Sequence, residues 1–239
     1  MDKIKYLSRI NLFKDLDLEQ LESLAPVTPA NTVTRKTIVA SPHMPQKRLF
    51  FVKSGMVRLY RISKGGKELT VDILGDGHLF GEVGSFTTGS ENLYAETIVD
   101  SIICTIDKNQ FETIITAKPE LGLRLIELVS LRLKEIEEML ELMAYGSVRK
   151  RLLYLLHKLC QKFGNEQAIH DEKESREGWV QLEIKLTHQE LASMAGSIRE
   201  TVTEQLKDFV AEGMIRKASL RNPLLVRPDR ILTALENCD

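Results

Sequence analysis

Residues 187–204 read THQELASMAGSIRETVTE, and this segment is the most informative about the structure of the C-terminal part of the chain. Thr187 with Glu190, and Ser197 with Glu200, each match the S/T-x-x-E capping box that marks the start of a helix. The two helix starts lie ten residues apart, which leaves room for one short helix and a tight turn before the second helix. The spacing therefore predicts two helices joined by a short turn.

Small and apolar residues around this turn complete the pattern. Ala192 would let the two helices approach closely, Gly196 would give the turn its backbone freedom, and Val202 would pack the second helix against the first. The same pattern predicts that the other apolar side chains of the second helix also point inward, namely Ile198, Leu206, Phe209 and Val210. This spacing is typical of a helix-turn-helix, a motif that binds DNA.

The opposite face of the second helix carries polar side chains near its start, where a recognition helix meets the major groove. An arginine such as Arg199 can pair with guanine O6 and N7, and Glu200 can accept from cytosine N4. The alternatives are that Glu200 only completes the capping box and that Arg199 is an ordinary surface residue. The predicted DNA-binding residues of the two helices are Thr187, Gln189, Ser197, Arg199, Glu200, Thr201, Thr203 and Glu204.

A strand-turn-strand pattern follows the second helix. Gly213–Lys217 leads through Arg221-Asn222-Pro223 to Leu224–Arg227. A hairpin with basic residues at this place is expected of a wing that rests on the phosphate backbone. The pattern therefore adds Arg216 and Lys217 to the predicted DNA contacts.

The N-terminal part of the chain has the pattern of a β structure. Eight of the 14 glycines fall between Gly55 and Gly89. The segment Ser63–Lys67 separates two strand-like runs and indicates a hairpin. Short strands with glycine turns predict a β-roll, preceded by a short helix over Leu18–Leu24. The predicted strands are Leu49–Val52, Met56–Ile62, Leu69–Leu74, Ala95–Ile98 and Ile102–Ile106.

Between these two parts, Pro119 opens a helix of about 25 residues. Its apolar residues recur at spacings of three and four, as in a coiled-coil seam. The alternative is a helix that packs only on its own domain. The predicted dimerisation residues are Leu125, Leu128, Val129, Ile136, Met139 and Met143. We thus expect an α+β chain with a roll domain over 1–118, a dimerisation helix over 119–146 and a winged helix-turn-helix domain over 147–239.

The charge of the chain is close to zero, since 33 Lys+Arg stand against 34 Asp+Glu in 239 residues. This balance argues against a nucleic-acid partner, because basic proteins gain most from phosphate contacts. Even from Ser147 onward, 15 Lys+Arg stand against 14 Asp+Glu. The charges that would serve DNA binding are local, on the second helix and the wing, and the overall balance predicts weak non-specific binding.

Several other classes of protein are disfavoured. No apolar run reaches the roughly 18–20 residues of a membrane span, and the N-terminus lacks a signal-peptide pattern, so we expect a cytoplasmic protein without a membrane partner. The three cysteines are too far apart for a zinc or iron–sulfur site and are expected to be reduced. The sequence has no P-loop, G-x-S-x-G or HExxH motif, which predicts that it is not an enzyme.

The order of β-roll, long helix and winged helix-turn-helix resembles the Crp/Fnr family, the cyclic-AMP receptor and fumarate-nitrate regulators. The most specific residues are Gly81–Gly84 with Phe86 in the roll, and Gln189–Ala192, Gly196 and Arg199–Val202 in the C-terminal part. The resemblance covers nearly the whole chain. It implies a cyclic-nucleotide-binding-like roll and a homodimer joined along the long helix.

The same resemblance implies a transcription regulator that reads a palindromic site and has RNA polymerase as a partner. Its two recognition helices would enter successive major grooves about 34 Å apart. An effector in the roll would control it, or it would be active without one.

The chain departs from the cyclic-nucleotide binders of this family. In those members, the Gly-Glu pair contacts the ribose and an Arg-Ser pair holds the cyclic phosphate; Asn92 and Leu93 stand at the latter positions here. Without the arginine, the buried phosphate charge would have no partner. We therefore expect no tight binding of cyclic AMP. By resemblance, an effector pocket would be formed by Gly81, Glu82, Asn92, Leu93, Tyr94, Ile136 and Glu137, the last two replacing a Thr-Ser pair that reads the purine.

Other departures bear on the sensor and on the DNA site. An iron–sulfur cluster is disfavoured, because the first cysteine is Cys104. A haem or redox sensor stays open as an alternative, since His78 precedes the Gly-Glu pair and Tyr94 would lie at the pocket rim. Another alternative is an effector-binding module that acts on a protein partner. Glu204 stands where the cyclic-AMP receptor has a second arginine, so the DNA half-site should differ at that base pair.

Overall fold

The computed structural model describes residues 7–24, 29–44, 48–83, 86–88, 92–168, 178–216 and 224–238. The chain divides into two compact units, Met1–Lys134 and Glu135–Asp239, and one long helix runs across the boundary. The three-part division at 118 and 146 stays a prediction. Among the described residues, no helix combines the length and the apolar character that a membrane crossing requires.

The described residues of the first unit form a short helix, nine strands and a second helix before the long helix begins. The elements are α1 (Leu18–Leu24), β1 (Ala30–Val33), β2 (Ile38–Ala40), β3 (Leu49–Ser54), β4 (Val57–Ile62), β5 (Glu68–Leu74), β6 (Leu79–Val83), β7 (Phe86–Thr87), β8 (Tyr94–Thr97), β9 (Ser101–Ile106) and α2 (Lys108–Ala117). The predicted helix and strands are confirmed, with ends that differ by one or two residues.

The strands form two antiparallel sheets, in the orders β1-β9-β3-β6-β7 and β2-β8-β4-β5. The predicted hairpin joins β4 to β5, where the Ser63 N–H donates to the carbonyl of Lys67 at 2.8 Å. One apolar cluster lies between the two sheets and includes the stacked rings of Phe50 and Phe80. A second cluster lies between the five-stranded sheet and the helices, where Phe13 contacts Phe51.

The long helix, α3 (Pro119–Tyr145), has 27 residues. Leu121 and Leu125 are buried in the cluster that the five-stranded sheet forms with the helices, and Leu128 packs against it. Leu125 was predicted as a dimerisation residue, but only 3% of its surface is exposed. The structure corrects this prediction: Leu125 serves the core of its own unit, because it lies on the stripe of α3 that faces the roll. Leu128 lies on the same stripe.

The described residues of the second unit form the end of α3, four helices and a small sheet. The elements are α4 (Val148–Phe163), β10 (Gly164–Asn165), β11 (Val180–Leu182), α5 (His188–Ala195), α6 (Arg199–Ala211), β12 (Ile215–Arg216), β13 (Leu225–Val226) and α7 (Pro228–Glu236). The strand order is β10-β11-β13-β12. α4 is the central helix, since it buries most of its apolar side chains and packs against α5, α6 and α7.

Charged side chains hold the C-terminal half of α3 on α4. Glu135 lies 3.6 Å from Lys158 and 3.4 Å from Lys162, and Glu138 lies 3.4 Å from Lys158. The Tyr154 hydroxyl donates to Glu138 at 2.7 Å. These contacts fix the end of α3 to the helix on which the helix-turn-helix packs.

Candidate nucleic-acid interface

The first helix of the predicted motif, α5, begins and ends where the sequence indicates. Thr187 Oγ1 accepts from the Glu190 N–H at 3.1 Å, and Glu190 Oε2 accepts from the Thr187 N–H at 2.6 Å, so the first capping box is formed. Gly196 follows the helix with φ of 59°, and its N–H donates to the carbonyl of Ala192. This left-handed backbone favours glycine and confirms the predicted turn.

The second predicted capping box is wrong. α6 begins at Arg199, its N-cap residue is Ile198, and this cap has no side-chain hydrogen bond. Ser197 instead completes the end of α5, because its N–H donates to the carbonyl of Ala192 at 3.0 Å. Its backbone is therefore committed to closing the first helix.

α6 buries one face and exposes the other. Val202, Leu206 and Phe209 are buried, as predicted. Ile198 and Val210 were predicted to point inward, but 62% and 44% of their surfaces are exposed. Ile198 precedes the first helical turn, and Val210 is rotated about 100° from Phe209, away from the buried stripe. The buried face of α6 is thus narrower than the sequence indicates.

The residues predicted to contact DNA come from the starts of α5 and α6 and from the wing. Those that are exposed are Thr187, Gln189, Arg199, Glu200, Glu204 and Arg216, and those that are half-buried are Ser197, Thr201 and Thr203. Lys217 and Arg221 lie outside the described residues. For every residue of the predicted set, contact with DNA stays a prediction.

One hydrogen-bond chain orients the exposed side of α6, and sequence reasoning missed it. The Thr203 hydroxyl donates to the carbonyl of Arg199 at 2.8 Å and lies 2.8 Å from His188 Nδ1. Because the hydroxyl proton is used on the carbonyl, its oxygen accepts from Nδ1–H of His188. His188 at the start of α5 thereby fixes the position of a predicted DNA-contacting residue on α6.

Arg151 of α4 supports the turn between α5 and α6. Its Nη1 donates to the carbonyls of Ala195 at 2.9 Å and Gly196 at 3.3 Å, and also lies 3.3 Å from Met143 Sδ. Arg151 thus satisfies carbonyls at the end of α5 that have no partner within that helix. Met143, a predicted dimerisation residue, contacts this same arginine through its sulfur.

Arg149 ties the other end of α6 to α4. Its guanidinium donates two hydrogen bonds to the carboxylate of Glu212, at 2.9 and 2.6 Å, and lies 5.0 Å from the centre of the Phe209 ring. The hydrogen bond to Glu212 raises the pKa of Arg149. A bidentate pair of this kind fixes orientation as well as position. α6 is therefore held at its start by His188 and at its end by Arg149.

The two strands of the predicted wing are confirmed as an antiparallel pair, and the turn between them lies outside the described residues. Ile215 pairs with Val226 and Arg216 with Leu225. The Arg216 guanidinium lies 5.0 Å from the centre of the buried Trp179 ring system, and that of Arg227 lies 5.6 Å from it. Trp179 thus places two guanidinium groups on the base of the wing.

In the roll, the residues that the resemblance assigns to an effector have mostly structural roles. Leu93 is 3% exposed and belongs to the apolar cluster between the sheets, whereas Asn92 is exposed. Tyr94 stacks on Tyr60 with ring centres 5.3 Å apart. The positions that would hold a cyclic phosphate therefore carry no positive charge, and one of them is filled by a core side chain. These residues do not fit a cyclic nucleotide.

Gly81 has φ of 101°, and a Cβ at this position would collide with the carbonyl oxygen of Arg48. The glycine is thus required by the close approach of the neighbouring chain. The N–H of Glu82 donates to the same carbonyl at 3.1 Å. Ile136 and Glu137 belong to the second unit, where both are exposed. The predicted pocket residues are thus divided between the first unit, which contains Gly81 to Tyr94, and the second unit.

The groups considered for metal or redox chemistry are held in structural positions. His78 Nδ1 lies 3.2 Å from the carbonyl oxygens of Gly75 and Asp76 in its own turn. Burial raises the pKa of the Cys160 thiol to about 12, so this cysteine is a poor source of thiolate. The described part of the chain contains no group of three or more His, Cys, Asp or Glu that could hold a metal ion.

A stripe of apolar side chains is exposed along α3, and we call it the α3 stripe. It consists of six residues. The exposed fractions are 61% for Ile126, 55% for Leu133, 44% for Ile136 and 68% for Leu140, and Val129 and Met143 are half-buried. The residues 126, 133 and 140 are spaced by seven, as are 129, 136 and 143. This is the heptad pattern of a two-helix seam.

Comparisons with known proteins agree with this architecture. Residues 31–118 match the family of the cyclic nucleotide-binding domain, and residues 150–231 match that of the Crp-like helix-turn-helix domain. The chain is similar to the global nitrogen regulator of Synechocystis sp., with 32% identity over 212 residues that cover 85% of this chain and 88% of that protein.

The chain is also similar to the CRP-like cAMP-activated global transcriptional regulator of Mycobacterium tuberculosis, with 27% identity over 216 residues, 90% of this chain and 92% of that protein. Among solved structures, FixK2 from Bradyrhizobium japonicum superposes with a TM-score of 0.72 at 18% identity, covering 89% of this chain and 98% of the other. This likeness shows the fold.

Proposed function

Because the chain belongs to the Crp/Fnr family of transcription regulators, we propose that it acts as a homodimer that reads a palindromic DNA site with α6 of each copy in the major groove. The family consists of transcription regulators rather than enzymes, and DNA binding follows from the Crp-like helix-turn-helix domain. The observation that carries the proposal is the exposed start of α6, where Arg199 and Glu200 project from a helix whose other face is buried.

Each side chain has a role that its chemistry fits. Arg199 would pair with a guanine and Glu200 with a cytosine. Ser197 and Thr201 are short donors for phosphates or neighbours of thymine methyls. Thr203 already donates its hydroxyl proton to the carbonyl of Arg199, so it would contact DNA through its methyl group beside a thymine methyl. Thr187 and Gln189, at the start of α5, would contact the DNA backbone. Arg216 and Lys217 would place the wing on the phosphates. Glu204 would change the preference for the base pair that it faces, because a carboxylate cannot donate to guanine.

The α3 stripe is the proposed dimer interface. Exposed apolar residues in a heptad pattern lose their contact with water when two such helices pair. The helix is about 40 Å long, so an antiparallel pair would put the two helix ends that lead into α4 on opposite sides. A parallel pair brings both ends together, which is what two recognition helices on one face of a duplex require.

The regulator would respond to an effector other than cyclic AMP or bind DNA without one. Asn92 and Leu93 offer no charge for a cyclic phosphate, and Leu93 fills the apolar core of the roll. RNA polymerase is the proposed protein partner and the cytoplasm the proposed location, since a transcription regulator of this family acts at promoters.

Selection of binding sites from a pool of random duplexes tests this function. The purified full-length chain should enrich a two-fold symmetric sequence, and a labelled duplex of that sequence should bind far more tightly than a scrambled duplex at the same salt concentration. Salt must be fixed because non-specific binding changes steeply with it. A chain that binds selected and scrambled duplexes equally would overturn the proposal and favour a role in binding a protein partner.

A further inference from the structure

Arg132 of α3 is a largely buried cation that has few polar partners among the described residues of its own chain. Only 14% of its side chain is exposed, and the nearest carboxylate among the described residues is that of Asp72 of β5, with Nη2 and Oδ2 3.9 Å apart. This separation is too long for a hydrogen bond. Its Nε is buried and has no hydrogen-bond partner among the described residues. A guanidinium has five N–H donors. Removing it from water while some of these donors stay without a hydrogen bond costs free energy of folding.

The register of the α3 stripe places Arg132 beside the proposed seam. With Ile126, Leu133 and Leu140 at heptad position a, and Val129, Ile136 and Met143 at position d, Arg132 falls at position g and Glu137 at position e. In a parallel pair of helices, position g of one helix faces position e of the next heptad of the other, five residues further along. Glu137 lies five residues after Arg132.

We propose that Glu137 of a second copy of this chain forms an ion pair with Arg132, and that the pair completes a charged cluster with Asp72 at the edge of the roll. Glu137 is exposed and forms no ion pair with the described part of its own chain. By symmetry the pair occurs twice in the dimer. It supplies the second carboxylate that the Arg132 guanidinium lacks among the described residues of its own protomer.

The other residues at these positions make the pairing selective. In the same register, Leu125 would face Ser130 of the second copy and Met139 would face Ala144, so Arg132 and Glu137 are the one oppositely charged combination in these three heptads. In an antiparallel pair, position g faces g and e faces e, and the attraction is lost. The ion pair therefore selects the parallel arrangement and joins the dimer interface to β5 of the roll.

This inference rests on the proposed homodimer. Sedimentation equilibrium of the full-length chain tests the ion pair, because it measures the dissociation constant of the dimer. Glu137→Arg, which brings two like charges together twice, should weaken the dimer about tenfold or more. The matched control is Glu141→Arg, an exposed glutamate one turn further along α3 at heptad position b. This control should change dimerisation by less than about twofold.

A variant without the cation shows whether the effect of Glu137→Arg depends on Arg132. In the Arg132→Met variant, Glu137→Arg should no longer weaken the dimer, because the cation that it opposes is gone. Equal losses with and without Arg132, or equal effects of Glu137→Arg and Glu141→Arg, would overturn the ion pair while leaving the homodimer in place. A wild-type chain that stays monomeric at all concentrations would overturn the homodimer itself and the ion pair with it.

Discussion

At the scale of single residues, Arg199 is the side chain on which base reading should depend most. It is exposed at the start of α6, and the carbonyl of Arg199 is itself fixed by the Thr203 hydroxyl. We predict that Arg199→Ala costs about 1–3 kcal/mol of binding free energy on the preferred site and relaxes the preference at one base pair. Binding to a set of duplexes that differ at single positions measures both effects.

Arg199→Lys is the matched variant, because it keeps the positive charge and loses the bidentate geometry. It should also lose preference at that base pair. If Arg199→Ala weakened binding to every duplex equally, Arg199 would be a phosphate contact and not a reader of sequence.

Leu93 leads to a prediction about the effector. Its side chain lies in the core of the roll, where a cyclic-nucleotide binder of this family would need a polar group for the phosphate. We predict that isothermal titration with cyclic AMP gives no dissociation constant below about 10 μM, which corresponds to roughly −7 kcal/mol. A relative that cyclic AMP activates serves as the positive control. Binding tighter than this limit would show that the phosphate charge finds another partner.

Local sequence patterns predicted some of the site residues and missed others for a physical reason. The capping pair Thr187 and Glu190 is three residues apart, so a sequence motif can describe it. His188 and Thr203 are 15 residues apart, and Arg151 lies 44 residues from the carbonyl of Ala195. Contacts between residues so far apart in the sequence depend on how the helices pack, and no periodicity along the chain predicts them.

At the scale of elements, the turn of the helix-turn-helix requires glycine at 196. Its φ is 59°, and a Cβ there would lie 3.0 Å from Met143 Sδ. We predict that Gly196→Ala lowers the free energy of unfolding of the second unit by about 1–2 kcal/mol, the usual cost of a left-handed backbone for a residue with a Cβ. Urea unfolding followed by the fluorescence of Trp179, the single tryptophan, measures it.

Gly65→Ala in the β4–β5 hairpin is the control for this change. A Cβ at Gly65 would have no heavy atom closer than 4.0 Å, and its φ is not in the left-handed range. The control should leave the Trp179 transition unchanged. Loss of stability in both variants alike would mean that the turn conformation is not the cause.

Two residues show where the spacing of a sequence motif does not predict the structure. Ser197 and Glu200 have the spacing of a capping box, but the backbone of Ser197 is already used to close α5. Leu125 has the spacing of a seam residue but lies in the core of the roll. α3 carries two apolar stripes on adjacent faces, and the periodicity of one helix cannot tell which of them meets the roll. That choice is made by the partner surface, which is distant in sequence.

At the scale of the whole molecule, the order of domains was predictable because each part has a different hydrophobic period. The roll, the long helix and the helix-turn-helix domain are all present as the sequence indicated. The net charge of −1 suggested no nucleic-acid partner, and the family shows that this inference was wrong. Specific binding to DNA can rest on a few local cations, a defined spacing of two recognition helices and weak non-specific attraction.

The dependence of binding on the spacing of the two half-sites tests whether the protein binds DNA as a dimer. Duplexes that carry two copies of the selected half-site at different separations are compared by fluorescence anisotropy at one salt concentration. A parallel dimer predicts the tightest binding when the half-site centres lie one helical turn apart, about 10–10.5 base pairs. Five extra base pairs should weaken binding about tenfold or more, because they turn one half-site to the other side of the duplex. An affinity that does not change with separation would contradict a dimer with two recognition helices.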